Sequence, residues 1–85
     1  MTTRRREAHL LRALAASRDR AADWYEAAAA GRPVDDAGPI PVWMVPAMHP
    51  RMLRAFANAE RHGAMQARAA ANQILMTRPH RKDPR

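Results

Sequence analysis

The chain has 85 residues, no cysteine, seven prolines, and 15 Lys and Arg against 8 Asp and Glu, a formal net charge of +7. The length excludes more than one small domain, and the missing cysteine excludes disulfides and thiolate metal sites; the charge excess favours anionic partners, whether nucleic acid, an anionic membrane or an acidic protein surface. Apolar residues make up 47% of the chain but are largely alanine, which favours helix and buries little area, so the sequence predicts a fold that is oligomeric or completed by a partner.

Arg4-Arg5-Arg6 opens the first element, and Glu7, His9 and Arg12 interrupt the apolar segment behind it. A secretory h-region is therefore missing, and no apolar run reaches the length of a membrane span. A cytoplasmic location is expected, or a virion if the chain is phage-encoded. Lys82 is the only lysine. The Arg, Ala, Pro and Gly bias fits a GC-rich bacterial or phage coding sequence, so the preference for arginine is not itself functional.

A helix is predicted over about 4–30, with Thr2 or Thr3 as cap and Gly31 followed by Pro33 as stop. Its apolar stripe reads Leu10/Leu11, Leu14, Ala21, Trp24/Tyr25 and Ala28, at three- and four-residue steps. The connector 31–49 begins as a polar turn and becomes an apolar strap, Pro39-Ile40-Pro41-Val42-Trp43-Met44-Val45-Pro46-Ala47-Met48-His49-Pro50. Its prolines fix φ and disfavour the α region before them, so the strap is predicted to be stiff and extended. A second helix is predicted over about 50–77, with Pro50 in its first turn, His49 as a poor cap and Pro79 beyond its end. Its stripe reads Leu53, Phe56, Glu60, Gly63/Ala64, Ala67, Ala71 and Ile74/Leu75. Gly63 within it implies a kink or a close approach of another backbone. The tail 78–85 is basic and polar.

Two helices of equal length, roughly 40 Å each, fit one arrangement: an all-α domain over 1–85, a hairpin of two long antiparallel helices joined by the proline-rich strap. Pairing residues whose numbers sum to about 80 sets Trp24 and Tyr25 against Phe56 and Leu53, and Ala16 and Ala21 against Ala64 and Ala59. It brings Leu10, Leu11 and Leu14 to Ile74, Leu75 and Ala67, and the acidic stripe Asp19, Asp23, Glu26 to Arg54 and Arg61, leaving Arg68 without an acidic neighbour. The connector is long for a helical bundle. It must therefore either fold back as a cap or leave the helices splayed.

Two candidate surfaces follow. The strap offers Ile40, Val42, Trp43, Met44, Val45 and Met48 to a protein partner. Trp43 is either an anchor in a partner's pocket or an internal cap over Trp24, Tyr25 and Phe56, and the cap is slightly favoured. The other surface is a basic pole of Arg4, Arg5, Arg6, Arg12, Arg68, Arg78, Arg81, Lys82 and Arg85, which the hairpin gathers at the end opposite the strap. Arginines in a first helical turn oppose the macrodipole, so they are either a solvated terminus or a contact for a polyanion.

No ligand spacing links His9, His49, His62 and His80, no hydroxyl has a base beside it, and no glycine-rich phosphate loop or DNA-reading motif is present. The sequence therefore points away from an enzyme, a metal or a cofactor. It points toward an interaction or assembly protein, a small structural component of a bacterial or phage complex, that associates with a protein partner or with itself. The alternative is a nucleic-acid-binding accessory protein acting through Arg–phosphate contacts. A membrane surface is disfavoured.

Overall fold

A computed structural model of the protein describes residues 3–76. Helix α1 runs Thr3–Ala29 and helix α2 runs Pro50–Met76, 27 residues each. The two pack against each other, and the described residues contain no strand. Contacts such as Arg4 with Ile74, Arg18 with Glu60 and Tyr25 with Phe56 run in antiparallel order, so the fold is hairpin-like.

Local chemistry sets the helix ends. Gly31 has φ +76, the left-handed conformation that ends helices. Around it the Arg32 N–H donates to the Ala27 carbonyl at 2.9 Å and the Gly31 N–H to the Ala28 carbonyl at 3.1 Å, the paired bonds of a Schellman motif. At the start of α2, His49 caps better than its residue type promised. Its Nδ1 accepts the Arg51 N–H at 3.0 Å, satisfying a donor the helix cannot pair internally.

The strap departs from the extended form its prolines predicted. Pro41 is extended, with φ −60 and ψ 137, but Val42–Ala47 winds into a 3₁₀ helix with Pro46 inside it. The φ that proline enforces is also a 3₁₀ φ, and the turn is closed at its two ends by the Met44 N–H to Pro41 and Met48 N–H to Val45 carbonyl bonds, both 3.0 Å, neither of which needs the donor that Pro46 lacks. The connector folds back as a cap. Val34, Ile40, Val42, Val45 and Met48 pack onto the cluster of Ala22, Trp24, Tyr25, Ala28, Leu53 and Ala57.

Trp24 fastens the cap. Its indole Nε1–H donates to the Asp35 carbonyl at 2.8 Å, and the Asp35 carboxylate accepts the Ala37 N–H at 3.1 Å. Gly38 lies flat on the same ring, where a Cβ would come within 2.1 Å of the indole.

The interhelical seam is alanine. Ala8, Ala15 and Ala22 of α1 and Ala57, Ala64 and Ala71 of α2, each at seven-residue spacing, are buried, and Leu53 is the one large side chain fully buried among the described residues. This corrects the expected stripe of α1. Leu11 packs on Ala15, Ala64 and Ala67, but Leu10 and Leu14 are 59% and 45% exposed, and Ala15 and Ala22 replace Ala16 and Ala21 at the seam. Reading the stripe from leucines put the face about one residue out of phase, because small residues at every seventh position let the backbones close and push the leucines to the side.

Gly63 makes room for a side chain rather than for a backbone. A Cβ there would meet Arg18 atoms at 2.9–3.1 Å. Arg18 crosses over it to Glu60 at 3.2 Å.

Candidate functional site

The strap candidates divide by the geometry of the 3₁₀ turn. Ile40, Val42, Val45 and Met48 are half-buried and face the protein's own core. Trp43 points away at 78% exposure, with Met44 half-buried beside it. The expected internal cap by Trp43 is corrected accordingly. Trp24 already fills that place: it meets Tyr25 edge-on with ring centroids 5.6 Å apart, while Tyr25 meets Phe56 at 5.3 Å. Val42, Val45 and Pro46 border a shallow recess whose far wall is Ala28, Gly31, Arg32, Pro33 and Val34. The outcome is an exposed indole on a short turn whose inner side chains are anchored.

The basic candidates are largely engaged within the molecule. Arg4 donates to the Ile74 carbonyl in the last turn of α2, so it serves the fold by supplying a partner that a helix C-terminus leaves wanting. Arg12 donates to Asn72 Oδ1 at 3.1 Å, and Arg5 is also engaged. Arg68 pairs with Asp19, correcting its expected lack of an acidic neighbour. Arg6 is exposed. Arg78, Arg81, Lys82 and Arg85 lie outside the described residues.

Arg61 is the hub of the charged seam. It reaches Glu26 at 2.7 Å, Asp23 at 2.9 Å and Asp19 at 3.9 Å. The hydrogen bond from Arg61 holds the Glu26 carboxyl below its ordinary value of 4.5, and the same bonds to Glu26 and Asp23 push the guanidinium up. Burial, with Glu60 nearby, pushes the Tyr25 phenol above 10.0. Arg54, expected beside the acidic stripe, borders a recess with Glu26, Ala30 and Asn58 and makes no ion pair among the described residues. Arg18–Glu60 was missed by the sequence reading, although its numbers sum to 78 and fit the register.

Other chemistry has little to stand on. Among the described residues no three His, Asp or Glu side chains gather to hold a metal, and no helix is long and apolar enough to cross a membrane. Further recesses lie along Ser17, Arg20, Ala21, Trp24 and the 35–39 loop and, on α2, along Ala69, Asn72, Gln73 and Met76. Compared with protein families, curated proteins and solved structures, the chain matches none.

Proposed function

We propose that the protein is a non-enzymatic interaction or assembly component, a helical hairpin of a bacterial or phage complex that presents its strap to a protein partner. One observation carries this reading: Trp43, a residue type favoured at binding hot spots, stands 78% exposed on a turn whose neighbours Val42 and Val45 pack inward. An exposed indole on an anchored turn loses little freedom on docking. With most described arginines of the basic pole turned to internal partners, protein docking ranks above phosphate binding. The exposed basic groups that remain would meet an acidic region of the same partner.

The test is capture of partners from the native lysate by the wild type and by Trp43→Ala, with and without nuclease. A stoichiometric protein partner that survives nuclease and is lost with Trp43→Ala is the expected result. Capture that is unchanged in the folded variant ends the strap's role. Partners that vanish with nuclease move the function to Arg–phosphate contacts, whose affinity falls steeply with salt.

A further inference from the structure

The connector completes the burial of Trp24. That residue stands two positions beyond Ala22, so helical spacing turns it about 200° from the side of α1 on which Ala22 meets α2. The 35–39 loop supplies its cover. Asp35, Ala37, Gly38 and Pro39 border the recess along Trp24, and a Cβ on Gly38 would come within 2.1–2.6 Å of three indole atoms. The connector's hold on the helices is otherwise slight. Among the described residues, the Trp24 Nε1–H bond to the Asp35 carbonyl is the one hydrogen bond between residues 33–48 and either helix. The bonds of the Met44, Met48 and Ala37 N–H groups stay inside the connector. No residue from 33 to 48 is buried, and Val34, Ile40, Val42, Val45 and Met48 are only half-buried.

Both helices end without the connector's help. The paired bonds around Gly31 close α1, and His49 Nδ1 caps α2. Tyr25 with Phe56 and Arg61 with Asp23 and Glu26 cross directly from helix to helix. We infer that residues 33–48 form a lid that opens as one unit, hinged at Gly31 and His49, while α1 and α2 stay paired, and that Trp24 and Gly38 are the latch that closes it. Segments with little buried apolar surface and few hydrogen bonds to the body open below the free energy of global unfolding. Val34 and Ile40 flank the loop in the chain, so lifting it from the indole draws both off the core and frees the 3₁₀ turn behind them. The lid's bearing on function rests on the docking role proposed for Trp43. A closed lid holds that indole on an anchored turn. An open lid leaves it on a free chain whose ordering opposes binding, so the apparent dissociation constant rises as the inverse of the closed fraction.

Hydrogen exchange of the full chain, read by NMR, tests the lid without a partner. The expected result is one opening event. The Trp24 Nε1–H and the Met44 and Met48 amides share one protection factor and one denaturant dependence, and exchange at least about 10-fold faster than the Tyr25 and Ala57 amides. Trp43→Phe leaves Trp24 as the only indole, which identifies its proton. Gly38→Ala speeds all three lid protons about 10-fold and leaves the Tyr25 and Ala57 amides unchanged; partner capture weakens in proportion to the closed fraction that remains. Three lid protons with unrelated rates overturn the inference, as does a Trp24 proton that exchanges only together with the Ala57 amide. Gly38→Ala speeding the helix amides equally also overturns it, since the loop is then part of the core. Capture lost with Trp43→Ala but indifferent to an opened lid overturns the coupling and leaves the docking role standing. Capture indifferent to Trp43→Ala removes the docking role, while the exchange result still decides the lid.

Discussion

The half of the molecule next to the strap and the half away from it use different means to hold the same two helices. Next to the strap, Trp24, Tyr25 and Leu53 fill the space between helices and the connector closes over them. Away from it, Ala15, Ala64 and Ala67 meet with only Leu11 packed on them. The first half gains stability from buried area and the second from close approach of backbones, which places little apolar surface at stake. A long helix pair can therefore be firm at one end and weak at the other.

Substitutions of opposite kinds sharpen the contrast. Leu53→Ala empties the firm half and is expected to cost about 3 kcal/mol, read by chemical denaturation; in a chain this small that is a large share of the total. A cost under about 1 kcal/mol would show that the strap collapses into the cavity and that the half is less firmly packed than its burial implies. Ala64→Leu acts on the other half, where the side chain is fully buried at 0% exposure with no room to grow. It wedges the seam apart at about 1–3 kcal/mol, and hydrogen exchange should speed up along Leu11 to Ala15 before it does near Trp24.

The smallest effect belongs to the charged flank that spans both halves. Its groups are solvent-exposed, so Arg61→Gln is expected to lower the melting temperature slightly at low salt and not at high salt. Acid makes the same point. The Glu26 carboxyl is lowered in the folded state, so its contribution is present above the ordinary glutamate value and is lost as pH falls through the lower folded one. Arg61→Gln should flatten that part of the acid titration of stability. An unchanged acid limb would mean that the Arg61 ladder is ornamental and that the seam alone holds the register.

Much of the fold was legible because local rules carried it. Gly31 and Pro33 stop α1, Pro50 starts α2, and both helices lie within a residue of their expected bounds. Part of the antiparallel order was legible too: Tyr25 with Phe56 and Arg61 with Asp19 have numbers that sum to about 80, as expected, whereas the closer contacts of Arg61, with Asp23 and Glu26, lie at sums of 84 and 87. The buried face of α1 was less so. Alanine at every seventh position signals a seam only once a second helix is known to close on it, and leucine dominates any apolar stripe read alone.

The candidate site was half legible. That the strap is apolar and unusual is written in its prolines; which of its side chains faces inward is not. A proline fixes its own φ and only biases its neighbour, so extended and 3₁₀ forms stayed open to Val42–Ala47 until Ile40, Val42, Val45 and Met48 found an apolar surface to cover. That choice turned Trp43 outward and left Trp24 as the internal tryptophan. The arginines follow the same division. Their number and the net charge belong to the composition, whereas Arg4 on the Ile74 carbonyl, Arg68 on Asp19 and Arg18 across Gly63 are contacts between residues far apart in the chain. Helix length, helix ends and overall charge are local or additive properties, and the sequence alone determined them. Which side chains are buried, paired or left facing outward depends on two surfaces meeting, and only the tertiary structure decided that.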